Sequence, residues 1–226
     1  MKDKVKRKEA GLMEECARIN SLMKIEKELT REGYSLIAGV DEAGRGPLAG
    51  PVMAAACILP RKFDLPGLND SKKLTPQKRK YLFEMIKEQA LSYSVASASP
   101  EEIDRINILQ ATKLAMQRAL AALTVRPDYV LIDGRERLEL AVPQKTVIDG
   151  DALSASIAAA SILAKVTRDE FMCKMHELYP EYSFDLHKGY PTRLHLEALK
   201  KFGACPLHRR SFSPLKEKSA ATGKLG

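Results

Sequence analysis

Two apolar runs, separated by a segment rich in glycine and proline, constrain the fold of this chain more than any other feature. The first run is LIAGV at 36–40, and the second is VMAAACIL at 52–59. Small and β-branched apolar residues favour buried strands, and the glycines and prolines of 43–51 interrupt the chain between the two runs. The sequence therefore predicts two neighbouring strands of one sheet.

Helix and strand patterns follow one another through the rest of the chain. Helices are predicted over 10–32, 75–90, 108–123 and 153–179, and strands over 92–98, 129–133 and 145–149. With 226 residues, the chain has the length of one α/β domain with small additions.

The balance of charge favours a polyanionic partner. The 37 lysines and arginines exceed the 29 aspartates and glutamates, which gives a net charge of +8 and a pI near 9.3. No run approaches the ~20 apolar residues of a membrane span, and the basic first residues lack the apolar core of a signal peptide. The four cysteines are scattered without a CxxC pair. We therefore expect a cytoplasmic protein with no membrane partner.

Acidic residues stand where predicted strands end or helices begin, at the places where the loops of an open α/β sheet converge. They are Asp41, Glu42, Asp133 and Asp151. Carboxylates ~4 Å apart repel by several kcal/mol at intermediate dielectric, and a divalent cation relieves that repulsion. Oxygen donors favour Mg²⁺ or Mn²⁺, and His187, His195 and His208 lack the spacing of zinc ligands. Hard ions with carboxylate ligands are typical of phosphoryl chemistry, so we expect a phosphodiester or nucleotide substrate.

A regular strand would point the adjacent side chains of Asp41 and Glu42 to opposite faces. The segment Gly44-Arg45-Gly46 predicts that the strand ends between the two acids, because glycine adopts backbone angles that other residues avoid. The guanidinium of Arg45 adds a fork of donors suited to phosphate.

The residues alone also allow simpler, structural roles for these acids. Asp41 and Glu42 could form a solvated turn, Asp133 could be a turn residue, and Asp151 could cap the helix that follows it. Asp149 could replace Asp151 as a ligand. Asp169 would lie ~27 Å from Asp151 along an unbroken helix, so we expect it to pair with Arg168 or a nearby lysine instead.

Seven stretches resemble the bacterial ribonuclease HII family and together span most of residues 34–212. They are IAGVDEAGRGPLAGPVMAAACILP, LNDSKKLTPQKR, EIDRINILQATKLAM, PDYVLIDG, GDALSASIAAASILAKVTRD, HKGYPTRLHLEALKKFG and HRRSF. The resemblance implies an α/β, ribonuclease H-like fold, with a mixed five-stranded sheet flanked by helices, an N-terminal helix and a small helical C-terminal part.

The resemblance also implies a division of the chain. Residues 1–33 would be an N-terminal helical extension, 34–180 the catalytic domain, 181–213 a helical substrate-binding part, and 214–226 a disordered tail.

The activity that the resemblance implies is endonucleolytic. It is hydrolysis of RNA in RNA/DNA hybrids and incision on the 5′ side of single ribonucleotides in duplex DNA, leaving 3′-hydroxyl and 5′-phosphate ends. One metal ion would be held chiefly by Asp41, Glu42 and Asp133, and a second near Asp41 and Asp151. Gly44, Arg45 and Gly46 would contact the 2′-hydroxyl and the neighbouring phosphate. Tyr190 would stack on the sugar that follows the ribonucleotide.

Further polar side chains are expected to hold the backbone of the substrate. The first group, Ser71, Lys72 and Lys73, precedes the predicted helix at 75–90, and the second is the basic patch of Arg209 and Arg210. The sequence departs from the family at Asp149, where many members carry lysine. The affinity for substrate or metal would therefore differ here.

Two other functions remain open at this stage. A DNA-directed exonuclease or junction resolvase also combines acids with a basic surface, and substrates that differ by one 2′-hydroxyl distinguish it. A noncatalytic nucleic-acid binding protein would show no cleavage with Mg²⁺ or Mn²⁺. We expect the protein to be a monomer. The sequence does not decide whether it binds a replication clamp.

Overall fold

A single mixed sheet forms the centre of the protein. The computed structural model describes residues 13–15 and 17–216. The strands are β1 (Ile37–Ala43), β2 (Val52–Ile58), β3 (Ser92–Ala98), β4 (Tyr129–Asp133) and β5 (Gln144–Val147). They lie in the order β3-β2-β1-β4-β5, so the predicted five-stranded sheet is confirmed.

The pairing of β1 brings two distant acids to one edge of the sheet. Strand β1 is antiparallel to β2 and parallel to β4, with Val40 opposite Ile132. The next residues along the two strands are Asp41 and Asp133. Because parallel strands present their carboxyl ends at the same edge, these two acids come together in space.

Helices cover both faces of the sheet. They are α1 (Lys24–Arg31), α2 (Pro76–Gln89), α3 (Pro100–Ala121), α4 (Ala155–Leu178), α5 (Phe184–His187) and α6 (Arg193–Phe202). Helix α3 packs on one face of the sheet and α4, which is rich in alanine, on the other. A Cβ atom added at Gly39 would lie 2.1 Å from the carbonyl carbon of Ser156, so β1 and α4 can approach this closely only with glycine at 39.

Some element boundaries differ from the sequence-based expectation. The predicted helix at 108–123 begins earlier, at Pro100, because Ser99 and Glu102 form a capping box, and it is kinked at Asn107. Residues 13–15 and 17–22 are helical and a turn at Met23 separates them from α1, while the first twelve residues and residue 16 lie outside the described residues. Most of the predicted disordered tail, 217–226, also lies outside them.

The chain after α4 folds back against the loop that follows β1. Tyr182, Phe184, Ala198 and Cys205 form a small apolar cluster with Met172 of α4. Ala49 pairs with His208 in an isolated β-bridge. In the part of the chain that the structure describes, no helix combines the length and the apolar character that crossing a membrane requires.

Candidate active site

A cleft of about 210 Å³ lies over the carboxyl ends of β1 and β4. The end of β1, the loop after it, the end of β4, the turn at Ser71–Lys73 and one face of α4 all contribute to its walls. Its lining residues are Asp41, Glu42, Ala43, Gly44, Arg45, Gly46, Ser71, Lys72, Asp133, Ser161, Lys165 and Tyr190. Most of the predicted site residues therefore meet in one place.

Asp41 is the most confined carboxylate of the cleft. It is 4% exposed, and its Oδ1 accepts a hydrogen bond of 2.7 Å from the backbone N–H of Glu42. Burial raises the pKa of Asp41 well above its usual range, and the negative charges of Glu42 and Asp133 raise it further, while a hydrogen bond from Ser161 acts in the opposite direction. A cation placed among these groups would stabilise the ionised form.

Glu42 lies beside Arg45 at the mouth of the cleft. The prediction that β1 ends between Asp41 and Glu42 is wrong, because the strand continues to Ala43 and the left-handed turn comes at Gly44, with φ of 97°. Both side chains nevertheless line the cleft, which lies over the end of the strand. Arg45 Nη1 lies 3.4 Å from Glu42 Oε1. The pKa of Glu42 is raised by burial, and the charge of Arg45 partly offsets that effect.

Asp133 and Asp151 are linked through the backbone that joins β5 to α4. Asp133 Oδ1 accepts a hydrogen bond of 2.7 Å from the N–H of Gly150. Asp151 is 5% exposed and does not line the cleft, but its Oδ2 lies 3.7 Å from Nζ of Lys72, which does. Burial, followed by a hydrogen bond and repulsion from Asp70, raises the pKa of Asp151 to about 6, and Lys72 acts against this.

The two rival acids lie away from the cleft. Asp149 is exposed in a left-handed turn with φ of 53°, so the chain turns Asp151, and not Asp149, into the interior. Asp169 pairs with Lys165 at 2.7 Å and lies 3.9 Å from Arg79. Its predicted pairing with a nearby lysine is confirmed.

Buried arginines hold the Gly44-Arg45-Gly46 loop from behind. Arg209 is fully buried and donates hydrogen bonds to the carbonyls of Gly44, Arg45 and Gly50 at 2.6, 2.9 and 2.9 Å. The expectation that Arg209 belongs to a basic patch that holds the substrate is therefore wrong, because its side chain is fully buried and each of its three nitrogens donates to a backbone carbonyl. Arg168 packs against Gly44, where an added Cβ would lie 2.0 Å from its Nε.

Tyr190 faces the glycine loop across the cleft. Its side chain is partly exposed, and a Cβ added at Gly46 would lie 3.7 Å from its Cε1. Ser71 and Lys72 line the same cleft, whereas Lys73 is exposed outside it. Arg210 is exposed, and its backbone N–H donates to Asp104 at 2.8 Å.

Sequence reasoning missed three polar residues of the site, namely Asp70, Ser161 and Lys165. Ser161 and Lys165 stand four residues apart in the helix that was predicted as an alanine-rich packing element. Polar residues at that spacing occupy one face of a helix, and this signal could have identified them. Asp70 caps the turn at Ser71–Lys73 by accepting from the N–H of Lys72 at 2.8 Å.

The donor chemistry of the site fits a hard divalent cation. The carboxylates offer only oxygen, which Mg²⁺ and Mn²⁺ prefer. Asp151 Oδ2 is buried and has no hydrogen-bond partner among the described residues, and it faces the Lys72 ammonium at 3.7 Å, so its surroundings favour positive charge. Within 13–15 and 17–216, no three Asp, Glu, His or Cys side chains are already arranged around one ion.

Comparison with known proteins gives a consistent result. The model of a family described as "Ribonuclease HII" matches residues 38–215. A ribonuclease HII of Desulfitobacterium hafniense is 63% identical over 209 residues, which cover 92% of this chain and 80% of that protein. One of Chlamydia pneumoniae is 52% identical over 207 residues, covering 91% and 96%. The crystal structure of ribonuclease H2 from Pyrococcus horikoshii OT3 aligns with a TM-score of 0.67 and 30% identity, covering 79% of this chain and 94% of that one.

Proposed function

This chain belongs to the ribonuclease HII family of type 2 ribonucleases H, and from that premise we propose that it cleaves 5′ to single ribonucleotides in duplex DNA as well as RNA in RNA/DNA hybrids. The observation that carries the proposal is one cleft that joins three carboxylates to a glycine loop and an exposed tyrosine. The carboxylates suit phosphodiester hydrolysis, and the loop and the tyrosine suit recognition of a sugar.

The acids would hold the metal ions. Asp41, Glu42 and Asp133 would bind one Mg²⁺ or Mn²⁺ ion, and Asp41 and Asp151 a second. Such ions supply a water-derived nucleophile and stabilise a leaving oxygen. Asp133 is already oriented by its bond to the N–H of Gly150, which leaves its second carboxylate oxygen available.

The loop after β1 would read the ribose. Gly46 has no Cβ, so its backbone can come close to the sugar, whereas the missing Cβ at Gly44 leaves room for the buried side chain of Arg168. Arg209 fixes the loop from the interior through the carbonyls of Gly44 and Arg45. Arg45 extends from the loop beside Glu42 and would contact the adjacent phosphate. The 2′-hydroxyl is then a recognition group and not the nucleophile, so the products would carry 3′-hydroxyl and 5′-phosphate ends.

The opposite wall would hold the strand that follows the ribonucleotide. Tyr190 belongs to the segment 181–213, which we propose as the substrate-binding part, and its ring would stack on the next sugar. Ser71 and Lys72 would contact a phosphate from the turn before α2. The net charge of +8 would support this binding of a polyanion by a monomer.

The test is a set of duplexes of identical sequence that differ only in their 2′-hydroxyls: all DNA, DNA with one ribonucleotide, and an RNA/DNA hybrid. With Mg²⁺ or Mn²⁺ we expect a single cut 5′ to the ribonucleotide, cuts throughout the RNA strand, and no cleavage of all-DNA duplex. Cleavage of all three would identify a DNA-directed nuclease. Binding without cleavage would identify a noncatalytic protein, and a cyclic phosphate product would contradict the role given to the 2′-hydroxyl.

A further inference from the structure

Three histidines are buried behind Tyr190 and do not line the cleft. His187, His195 and His208 are 8%, 0% and 3% exposed. The rings of His187 and His195 stack with centroids 4.4 Å apart, and those of His195 and His208 lie 5.2 Å apart. Such residues are costly to bury unless their nitrogens are hydrogen-bonded, so each nitrogen needs a partner.

The hydrogen bonds of two of these histidines form a chain with a defined direction. His195 Nδ1 lies 2.9 Å from the carbonyl oxygen of Tyr190, which can only accept, so His195 carries its proton on Nδ1. The Nε2 atoms of His195 and His208 are 3.0 Å apart, so His208 must donate from Nε2. Its Nδ1 then accepts from the N–H of Cys205 at 3.0 Å, a shorter separation than the 3.3 Å to the Cys205 carbonyl oxygen, and it lies 3.2 Å from Cys205 Sγ.

This assignment is consistent only when both rings are neutral, since each ring has one donating and one accepting nitrogen. Burial lowers the pKa of His208 to about 4, and the nearby His195 acts in the same direction. Burial lowers the pKa of His195 as well. The chain is therefore intact at neutral pH.

The two ends of the chain belong to the two walls of the cleft. One end is the carbonyl of Tyr190, which also accepts from the N–H of Thr192 at 2.8 Å and precedes Pro191. The other end is His208, whose backbone pairs with Ala49. Arg209, the next residue, holds the loop at Gly44 and Arg45.

We propose that His195 and His208 are positioning residues that fix Tyr190 at a set distance from the Gly44-Arg45-Gly46 loop, so that the ribose-reading loop and the stacking ring act on adjacent sugars. The proposal rests on the function proposed above for Tyr190. Neither histidine touches the substrate. They keep the distance between the two walls of the cleft constant. A substrate that is displaced from its reactive position is cleaved much more slowly.

The first test reads the protonated nitrogens directly and does not depend on activity. Long-range ¹H–¹⁵N spectra of the histidine rings at pH 7 should show His208 as the Nε2–H tautomer and His195 as the Nδ1–H tautomer, assigned with single His→Gln variants. The opposite tautomers, or rapid exchange between tautomers at either ring, would overturn the chain. A preparation that shows the expected tautomers but cleaves none of the duplexes would contradict the proposed function and would support the hydrogen-bond chain.

The second test asks whether the chain acts through Tyr190. His195→Leu should lower kcat/KM on the single-ribonucleotide duplex about 10-fold, and His195→Asn, whose amide can still donate to the Tyr190 carbonyl, should recover most of the loss. In a Tyr190→Ala background, His195→Leu should have no further effect. Equal losses in both backgrounds would show a general structural role and overturn the proposal.

Two controls keep this test interpretable. His176→Gln, at a partly exposed histidine that pairs with Asp185 at 3.3 Å, should leave kcat/KM unchanged. If His195→Leu does not fold, as judged by circular dichroism, the comparison is made with His195→Gln, whose amide takes the place of Nε2 and leaves the Tyr190 carbonyl without its donor. Its loss of activity should disappear in the Tyr190→Ala background. Fully multiplicative losses would again overturn the proposal.

Discussion

At the scale of single residues, burial of Asp151 makes the stability of the folded chain depend on pH. Its pKa is raised to about 6 by burial and by Asp70. A carboxylate with a raised folded-state pKa favours folding below its ordinary pKa, and this contribution is lost as the pH rises through about 6. At neutral pH, the ionised form of Asp151 therefore opposes folding.

We expect Asp151→Asn to be more stable than the natural chain by about 1 kcal/mol at pH 7.5 without metal, because a neutral amide of equal size is cheaper to bury. The difference should shrink as the pH falls toward 4. With Mg²⁺, the same variant should lose about 100-fold or more in cleavage rate. Urea unfolding at both pH values, together with cleavage assays, checks this. A variant that is less stable at pH 7.5 would contradict the electrostatic account of this residue.

Arg209 and Arg210 are neighbours in sequence with opposite environments. Arg209→Ala should reduce the free energy of unfolding by about 3 kcal/mol or more, because three interior carbonyls lose their donor and the side chain leaves a cavity. Arg210→Ala should change it by less than about 0.5 kcal/mol, since its side chain is exposed. Chemical denaturation of the matched pair decides between this assignment and a surface role for Arg209. Similar stability of the two variants would contradict it.

The burial of Arg209 could not be predicted from the sequence. The motif HRRSF contains two adjacent arginines, and charge alone gave both the same expected role. Which of the two turns inward depends on the bridge between Ala49 and His208, a contact between segments far apart in the chain. Asp41 and Asp133 were easier to predict, because each directly follows an apolar run.

At the scale of elements, helix α1 supports the start of α4. Glu26 is 4% exposed, and its Oε1 accepts from the hydroxyl of Ser154 at 2.6 Å and from the N–H of Ser156 at 3.0 Å. Both donors lie at the N-terminus of α4, just after Asp151, where the first N–H groups of a helix have no partner within the helix. The sequence predicted a helix here with an apolar face, but it gave no sign that an acid on that helix would be buried.

Glu26→Ala should therefore destabilise the protein by about 2 kcal/mol, because a hydroxyl and an N–H lose a charged acceptor in the interior. Glu28→Ala, on the exposed side of the same helix, serves as the matched control and should have little effect. Thermal and urea unfolding measure both. Equal effects of the two substitutions would mean that α1 contributes only through its apolar contacts.

For the strands too, local sequence patterns predict the elements but not the pairing between segments far apart in the chain. Apolar runs ending on acids predicted β1 and β4, and the structure contains both. Their parallel pairing, with Val40 opposite Ile132, is what brings Asp41 to Asp133, and no local pattern specifies it. The early start of α3 was available from the Ser99 capping signal, which the periodicity of 108–123 obscured.

At the scale of the whole molecule, the ribonuclease H-like fold gathers acids from three segments into one cleft and its surroundings. Burial and mutual repulsion raise the pKa values of Asp41 and Asp151, and Asp151 Oδ2 has no hydrogen-bond partner among the described residues. We propose that a hard divalent cation lies among these carboxylates, and every functional role proposed for the cleft depends on that cation.

The most direct test is a Mn²⁺ titration of the full chain in the absence of nucleic acid, with free Mn²⁺ measured by electron paramagnetic resonance. The natural chain should bind Mn²⁺, and Asp41→Asn should weaken binding at least about 10-fold, because it removes the carboxylate that both proposed ions would share. Asp64→Asn, at an exposed acid that does not line the cleft, should bind as the natural chain does. Undiminished binding by Asp41→Asn would contradict the account.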